Sequence, residues 1–233
     1  MRAAAVIVAA GAAKRFGGKL KKQFVSLGGK PVFMRSVLEF RKLSGIQQIV
    51  LVVPRGQVPS FKDFPLKFGI DIAAGGDKRT DSVRAGLSAL REEIDIVAIH
   101  DGARPLITSG LIKASLLAAE KYGAAVVCVP ARDTVKTTLT EERRRKKEAR
   151  ANKRSLFVGR TIPRDAIWLA QTPQTFRKKI IMSAYAKLKT KNITDDAQAA
   201  ELAGYKVRIV PGSYSNIKIT DKKDIKIAKM LLK

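Results

Sequence analysis

Short apolar runs alternate with stretches of helical periodicity along most of the chain. Runs rich in alanine, valine and isoleucine are predicted to form strands at residues 3–9, 49–53, 70–73, 94–99, 124–130, 206–210 and 216–219. Several of these runs are unbroken, which is typical of strands that are covered on both faces of a parallel sheet. Their alternation with helical segments therefore indicates βαβ units.

Between the strands, apolar residues recur at the spacing of one helix face. Helices are predicted at Phe33, Val37 and Phe40 after Pro31, at Val83, Leu87 and Leu90 after Asp81 and Ser82, over 111–122, over 195–203, and from Thr220 or Asp221 onwards with Ile225, Ala228 and Leu232 on one face. Gly204 suits a C-terminal helix cap and Asp221 an N-terminal one. Together these elements predict a three-layer α/β sandwich.

Composition limits what the chain can be. Its 233 residues are 45% hydrophobic, which suits one large domain with a sizeable core. The formal net charge of +26 fits a nucleic-acid partner, a nucleotide or phosphate substrate, or a generally basic proteome. The charge is spread over the whole chain and only 6% of the residues are aromatic, so a nucleic-acid partner is disfavoured. No apolar stretch approaches the roughly 18 residues of a membrane span.

Cysteine and histidine each occur once in the chain. Cys128 excludes an intrachain disulfide, so a reducing, cytoplasmic compartment is expected. Its valine neighbours predict a buried strand, and no electropositive partner adjoins it, so packing is favoured over a role as nucleophile. A structural hydrogen-bonding role is favoured for His100, because no triad or metal-ligand partner has the right spacing.

One segment departs from the apolar pattern. Residues 141–154 contain eight Lys or Arg, three Glu and no apolar stripe. They are predicted to form a solvated hairpin tip, a short polar helix or a disordered loop. A contact with nucleic acid is the alternative that this charge leaves open.

Small residues and then cations follow the first predicted strand. Ala10 and Gly11 open a loop in which main-chain N–H groups can approach a ligand closely. The cations that follow would neutralise a polyphosphate: Lys14, Arg15, Lys19, Lys21 and Lys22. The loop is not a Walker A motif, because no Gly-Lys-Ser/Thr follows, and Ala13 and Phe16 exclude a Gly-x-Gly-x-x-Gly fingerprint. A basic surface loop is the alternative.

Two further loops are predicted at the carboxyl ends of strands, where open parallel sheets bind ligands. In residues 75–82, paired glycines permit a close main-chain approach, and the polar groups after them suit the edge of a base. The alternative there is a turn with Asp81 or Ser82 as a helix N-cap. In residues 99–105, Asp101 lies beside a glycine and Arg104, which suits a carboxylate that holds Mg²⁺ against a triphosphate.

Later segments carry polar residues that a sheet does not require. They are Asp133-Thr134-Val135-Lys136, Gln171-Thr172-Pro173-Gln174 before an amphipathic helix, Ile193-Thr194-Asp195-Asp196, and Asn216-Ile217-Lys218-Ile219-Thr220. The third segment is also explained as an acidic helix N-terminus. Lys218 is also explained as an outward residue on an edge strand.

Taken in order, these segments resemble the 2-C-methyl-D-erythritol 4-phosphate cytidylyltransferases, a family of CTP-using enzymes of the non-mevalonate isoprenoid pathway. The resemblance covers nearly the whole chain and lies in the Ala-Ala-Gly loop with Arg15, Lys22-Gln23-Phe24, the Gly-Gly-Asp segment, residues 100–105, Asp133-Thr134, Thr172-Pro173-Gln174, Thr194-Asp195 and Asn216-Ile217-Lys218. It implies a Rossmann-like, mostly parallel twisted sheet of the nucleotide-diphospho-sugar transferase type. It also implies a single domain over residues 1–233 with a protruding arm at about 134–165.

The resemblance implies a role for each matching residue. The implied catalytic residues are Arg15, Lys22, Arg164 and Lys218; the implied CTP-binding residues are Ala10, Gly11, Arg15, Lys22, Gly76, Asp77, Ser82 and Lys218; the implied acceptor-binding residues are Gly102, Arg104, Thr134, Arg164 and Thr172; Asp101 is the implied magnesium ligand. The family is a homodimer whose arm reaches across to the partner, so the partner subunit is expected to supply some acceptor contacts.

The charges of the implied substrates determine the expected chemistry. CTP carries about four negative charges and a phosphorylated polyol about two, so the substrates repel each other. Fixed cations and Mg²⁺ would offset that repulsion while the acceptor phosphate attacks the α-phosphorus and pyrophosphate leaves. The nucleophile is already an anion, so neither a general base nor a covalent enzyme intermediate is required.

Two other functions remain open from the sequence. A sister enzyme that makes CDP-ribitol from ribitol 5-phosphate would share the CTP-side motifs and differ around Arg104, Thr134 and Arg164. A basic nucleic-acid-binding protein would instead depend on residues 143–147, and its binding would fall steeply with salt.

Overall fold

A seven-stranded sheet forms the centre of the computed structural model, which describes residues 1–11, 16, 24–139, 157–188 and 193–232. The strands are β1 (Ala3–Val8), β2 (Ser26–Leu27), β3 (Lys30–Pro31), β4 (Ile46–Pro54), β5 (Asp71–Gly75), β6 (Ile96–Asp101), β7 (Ala124–Pro130), β8 (Val135–Leu139), β9 (Phe157–Ile162), β10 (Trp168–Arg177) and β11 (Arg208–Pro211). The helices are α1 (Val32–Arg41), α2 (Phe64–Phe68), α3 (Arg79–Ser88), α4 (Ser109–Tyr122), α5 (Lys178–Lys187), α6 (Asp196–Leu202) and α7 (Lys222–Leu231). Of the helices in this described part, none combines the length and apolar character that a membrane span requires.

The strands of the central sheet lie in the order β11-β7-β10-β6-β1-β4-β5. β1 is at the centre, with Val6 opposite Val50 of β4 on one side and Ile99 of β6 on the other, and both pairings are parallel. β5 and β11 continue the parallel arrangement at the two edges. β10 runs antiparallel to β6. The prediction of a mostly parallel sheet is therefore confirmed.

Helices cover both faces of the sheet. On one face, Phe33 and Phe40 of α1 and Leu116 of α4 pack in a cluster with Ile7 of β1. The opposite face has a second cluster, in which Val6 of β1 packs with side chains of α3, α5 and α6. Successive residues of β1 thus belong to different clusters, as the alternation of side chains along a strand requires. These two apolar layers confirm the three-layer α/β sandwich.

The predicted strand at 216–219 is wrong, because this segment is neither strand nor helix. Ile219 is fully buried in a local cluster with Phe16, Leu27, Val32 and Ala228, and its main-chain N donates to the main-chain O of Ala103 at 2.8 Å. The alternation of apolar residues therefore reflects one-sided burial beneath α7 rather than a sheet face. The interpretation of Lys218 as an outward residue on an edge strand is wrong for the same reason.

The sequence did not indicate β10, whose inner residues are polar. Gln171, Thr172, Gln174 and Thr175 are all buried. A cis peptide bond joins Thr172 to Pro173. Hydropathy does not reveal such a strand, because its buried side chains are polar and are satisfied by hydrogen bonds. The amphipathic helix expected after it is present as α5.

The chain divides into two compact units, Met1–Cys128 with Ala170–Lys233, and Val129–Leu169. In the second unit, β8 and β9 form an antiparallel pair with Val135 opposite Ile162. The stretch predicted as an arm, at about 134–165, lies within this unit. Its use in dimerisation stays a prediction, and the basic run at 141–154 lies outside the described residues.

Candidate active site

A cavity of about 630 Å³ lies at the carboxyl ends of β1, β4, β5 and β6. The last residues of these strands contribute to its lining: Val8, Pro54, Gly75 and Asp101. In open α/β sheets this is the edge at which ligands bind. The loops predicted at these strand ends therefore meet around one cavity in the first unit.

Part of the cavity wall consists of glycine and alanine residues, whose main chain lies at the cavity surface. Of the residues implied to bind CTP, six line the cavity: Ala10, Gly11, Gly76, Asp77, Ser82 and Lys218. A Cβ atom on Gly76 would lie 2.5 Å from the Cβ of Asp81, so the wall admits no side chain there. A Cβ atom on Gly11 would meet nothing within 4 Å. A wall of this kind lets main-chain donors approach a ligand closely.

Helix α3 begins earlier in the chain than predicted. Its N-cap is Lys78, whose main-chain N donates to Oδ2 of Asp81 at 3.0 Å. Ser82 is 2% exposed and its Oγ donates to the main-chain O of Lys78 at 3.2 Å. The interpretation of Asp81 or Ser82 as the N-cap is therefore wrong. Asp81 instead lies in the first turn, where a carboxylate can bond the main chain of the capping residue.

Cationic side chains surround the carboxylate of Asp101. Nζ of Lys218 lies 2.6 Å from Oδ2, Nε of Arg79 lies 3.4 Å from Oδ1, and Nε of Arg104 lies 3.9 Å from Oδ2. Burial raises the pKa of this carboxyl, but the charges of Arg79, Lys218 and Arg104 outweigh burial and hold the pKa well below its usual range. Asp101 is therefore ionised at the cavity wall.

The guanidinium of Arg79 also holds a second, fully buried carboxylate. Its Nη1 and Nη2 donate to the two oxygens of Asp196 at 2.9 and 2.7 Å. Tyr185 donates to Oδ1 of Asp196 from its hydroxyl, and burial and the adjacent Asp196 raise the pKa of that hydroxyl. Sequence reasoning identified neither this pair nor Arg79, since the partners are 117 residues apart. Asp196 does lie in the first turn of α6, as the acidic helix N-terminus predicts, but that prediction gave no indication of its bond to Arg79.

His100 is fully buried and hydrogen-bonded through both ring nitrogens. Nε2 lies 3.2 Å from the main-chain O of Arg104, and Nδ1 lies 3.0 Å from Oγ1 of Thr172. A carbonyl only accepts, so Nε2 carries the proton and the Thr172 hydroxyl donates to Nδ1. Burial lowers the pKa of His100 to about 4, which keeps the ring neutral. The structure thus gives His100 the hydrogen-bonding role favoured from the sequence.

Two residues implied to bind the acceptor are engaged within the protein. Thr172 is 4% exposed, and its Oγ1 also accepts from the main-chain N of Asp101 at 3.1 Å. Arg104 donates from Nη1 to the main-chain O of Asn216 at 2.7 Å. The turn from Asp101 to Arg104 is tight, because a Cβ atom on Gly102 would lie 3.2 Å from the main-chain O of Val8. Acceptor binding by Gly102, Arg104 and Thr172 stays a prediction.

The structure does not bring the remaining implied site residues, Arg15, Lys22, Thr134 and Arg164, into the lining of this cavity as described. Arg15 and Lys22 fall outside the described residues. Thr134 and Arg164 belong to the second unit. There, Arg164 begins a short 3₁₀ helix and its Nη1 donates to the main-chain O of Arg132 at 2.8 Å.

The carboxylates at the cavity fit a magnesium ion that arrives with a ligand. Within the described ranges, no three His, Cys, Asp or Glu side chains form a group that could hold a metal ion. Nucleotide-bound Mg²⁺ usually takes only one or two protein carboxylates together with the phosphates. Asp101 is ionised and lines the cavity, so it meets that requirement.

The mostly parallel sheet, with helices on both faces and a cavity at its strand ends, has the α/β nucleotidyltransferase-like fold of solved cytidylyltransferase structures. The family model of IspD, 2-C-methyl-D-erythritol 4-phosphate cytidylyltransferase, matches residues 3–233. The chain therefore belongs to the 2-C-methyl-D-erythritol 4-phosphate cytidylyltransferase family.

Relatives and solved structures agree with this assignment. The enzyme of that name from Pelotomaculum thermopropionicum is 41% identical over 239 residues, covering 100% of this chain and 94% of that protein. The one from Endomicrobium trichonymphae is 38% identical and covers all of both chains. The structure of 4-diphosphocytidyl-2C-methyl-D-erythritol synthase from Anaerococcus prevotii gives a TM-score of 0.81 at 30% identity, covering 99% of this chain and 97% of that one. These names do not favour the ribitol alternative.

Proposed function

We propose that this chain transfers CMP from CTP to 2-C-methyl-D-erythritol 4-phosphate, giving 4-diphosphocytidyl-2-C-methyl-D-erythritol and pyrophosphate, in isoprenoid precursor biosynthesis. Membership of the family along nearly the whole chain supports the reaction. The structural observation that carries the proposal is the approach of Lys218 and Arg79 to Asp101 at the wall of a cavity large enough for a nucleotide.

The CTP molecule would bind along the glycine and alanine residues of the cavity wall. Ala10 and Gly11 would hold the triphosphate through their N–H groups. Gly76, Asp77 and Ser82 would contact the cytidine. The support for this division is that all five residues line the same cavity.

The phosphate end of the reaction requires cations, because two anions must come into bonding range. Lys218 lines the cavity with its side chain 40% exposed, so its ammonium is accessible to a phosphate. Arg15 and Lys22 would stabilise the triphosphate, and Arg164 would position the attacking phosphate. A positive charge in this position stabilises the transition state more than the separated substrates, since negative charge from both substrates is brought together on the oxygens around the reacting phosphorus.

The chemistry needs no nucleophile from the protein. An oxygen of the acceptor phosphate would attack the α-phosphorus of CTP in line, and the bond from that phosphorus to the bridging oxygen would break with its electrons leaving on pyrophosphate. Mg²⁺ held by Asp101 and the substrate phosphates would supply charge neutralisation. The acceptor would be held by Gly102, Arg104, Thr134, Arg164 and Thr172.

We further propose a homodimer in the cytoplasm, in which the unit Val129–Leu169 reaches the partner subunit. The exposed apolar side chains Phe157, Val158 and Leu169 of that unit support such a contact, since each is more than 50% exposed. Sedimentation velocity of the whole chain tests it. A monomer at micromolar concentration contradicts the dimer without contradicting the reaction.

Pyrophosphate release tests the reaction. The protein is incubated with CTP, Mg²⁺ and either 2-C-methyl-D-erythritol 4-phosphate or ribitol 5-phosphate, and release is expected only with the first acceptor. Lys22→Ala and Lys218→Ala should abolish turnover and leave the fold intact. Lys113→Ala, an exposed position on α4, is the matched control and should retain full turnover. Release with ribitol 5-phosphate alone contradicts the proposed acceptor, and near-normal turnover of Lys22→Ala contradicts the catalytic assignment.

A further inference from the structure

Lys218 is held in place although its segment belongs to no strand or helix. Its Nζ nevertheless lies 2.6 Å from Oδ2 of Asp101. A lysine side chain has many rotamers, so its ammonium occupies one place only if the main chain that carries it is fixed. Ile219, the next residue, is buried and bonded through its main-chain N to Ala103, and the contacts of Asn216, two residues earlier, restrain the other side of Lys218.

Asn216 ties this segment to two other parts of the fold. Its side chain is 1% exposed, and Nδ2 donates to the main-chain O of Thr172 at 2.9 Å and to Oε1 of Gln171 at 3.1 Å. Its main-chain O accepts from Nη1 of Arg104 at 2.7 Å. One residue therefore joins β10, the turn after β6 and the segment that carries Lys218.

The chemistry of these partners requires an amide at position 216. The main-chain O of Thr172 only accepts, and Gln171 presents its oxygen because its Nε2 donates to the main-chain O of Ser213 at 2.9 Å. Two acceptors therefore face Nδ2, and only a group with two donors satisfies both. An aspartate at position 216 has the same shape but would place oxygen against oxygen in a buried site.

Thr172 bonds to the main chain of Asp101 and to Asn216, which precedes Lys218, so it contacts the segments on both sides of the Lys218–Asp101 ion pair. Its main-chain O holds Asn216, and its Oγ1 accepts from the main-chain N of Asp101. The same hydroxyl donates to His100, whose other ring nitrogen donates to the main-chain O of Arg104. The hydrogen bonds form a closed ring, so the main chains at both ends of the ion pair are positioned together.

We propose that Asn216 is the positioning residue for Lys218 and fixes the main chain that directs its ammonium to the phosphates of the nucleotide. Asn216 itself contacts no substrate. The proposal rests on the proposed function only in that Lys218 meets the phosphates of CTP.

Affinity for CTP in the presence of Mg²⁺ and without acceptor tests the coupling by calorimetry. Lys218→Ala and Asn216→Ala should each weaken binding about tenfold or more, the usual effect of losing one charge-assisted hydrogen bond. If Asn216 acts through Lys218, the double variant binds within about twofold of Lys218→Ala. Losses that multiply in the double variant overturn the proposal.

A second measurement needs no nucleotide. An amine-directed ester labels the folded protein, and mass spectrometry reports labelling of Lys218 relative to Lys113. Labelling of Lys218 should rise at least about threefold in Asn216→Asp and in the milder Asn216→Ser, because the ion pair with Asp101 loosens. Unchanged labelling in folded variants overturns the proposal. If the wild-type chain fails to bind CTP but these variants label faster, the proposed function fails and the positioning role stands.

Thr175→Ala is the matched control. Thr175 is a fully buried polar residue on the same strand, but its Oγ1 donates to Oγ of Ser115 in α4 at 3.0 Å. Its loss should lower the melting temperature as the Asn216 variants do, yet leave Lys218 labelling unchanged. Equal labelling increases in both kinds of variant would mean that general loosening, and not Asn216, controls Lys218, and would overturn the proposal.

Discussion

Gly75 and Ala10 approach each other so closely that a Cβ atom on Gly75 would lie 2.3 Å from the Cβ of Ala10. The same atom would lie 2.9 Å from Oγ of Ser82 and 3.3 Å from the main-chain O of Val53. Gly75→Ala should therefore push β1 and α3 apart, lower the free energy of unfolding by about 1–3 kcal/mol and weaken CTP binding. Urea unfolding and calorimetry measure the two effects.

A glycine with free space around it provides the control. A Cβ atom on Gly110, in α4, would meet nothing within 4 Å. Gly110→Ala should leave stability unchanged or slightly higher, since alanine is the better helix former. Equal effects of the two substitutions would mean that close packing at Gly75 does not shape the cavity wall.

Asp196 should be costly to remove because it compensates the charge of Arg79. Asp196→Ala leaves the guanidinium and the Tyr185 hydroxyl without their buried partner, and the expected loss of stability is about 3–5 kcal/mol in urea unfolding. Arg79→Met combined with Asp196→Leu should recover part of that loss. The exposed pair of Arg2 and Asp95, with side chains 52% and 49% exposed, is the comparison, and Asp95→Ala should cost much less. Similar costs at both sites would contradict this reading of the Arg79 pair.

His100 should make stability depend on pH. Burial lowers its pKa to about 4 in the folded protein, against 6.5 for the free side chain. Between these values the unfolded chain binds a proton that the folded chain does not. The contribution of neutral His100 to the free energy of unfolding is therefore complete above about pH 6.5. It falls by up to about 3 kcal/mol as the pH drops to 4.

Because His100 is the only histidine, nuclear magnetic resonance reports its ionisation directly. Its imidazole signals should stay at their neutral positions down to pH 5. In His100→Asn, the loss of unfolding free energy that His100 causes between pH 6.5 and 5 should disappear. A histidine that titrates near pH 6.5 in the folded protein contradicts the prediction.

Cys128 should be unreactive until the protein unfolds. It is 4% exposed, and burial raises the pKa of its thiol to about 11. Only the thiolate attacks disulfide reagents, so a dithionitrobenzoate assay at pH 8 should run at least about 100-fold slower in native protein than in urea. Equal rates in the two states would contradict the buried packing role.

Apolar patterning predicted most of the fold because most of the sheet is covered on both faces. The predicted strand at 124–130 coincides with β7. Patterning failed where buried residues are polar, or where apolar residues are buried outside the sheet. β10 buries Gln171, Thr172 and Gln174 through hydrogen bonds, so its sequence reads as polar. At 216–219 an apolar alternation arises without any sheet.

Only those parts of the candidate site that lie in short continuous segments could be predicted from the sequence. The rule that ligands bind at strand ends led to Asp101 and to the loop with Gly76, both of which line the cavity. The partner of Arg79 could not be found in this way, because Asp196 is far along the chain and follows a typical helix cap at Asp195. Long-range ion pairs leave no periodic signal in a single sequence.

β10 follows both β6 and β7 in the chain but lies between them in the sheet. A nascent polypeptide that has left the ribosome only as far as Pro130 therefore has an open slot in the middle of its sheet. The whole of Val129–Leu169 must be translated before that slot is filled. Assembly of the ring through His100 and Thr172 is thus a late event in biosynthesis, and a truncated product that stops before Ala170 would lack both the Thr172 hydroxyl that bonds the main-chain N of Asp101 and the Lys218 ammonium beside its carboxylate.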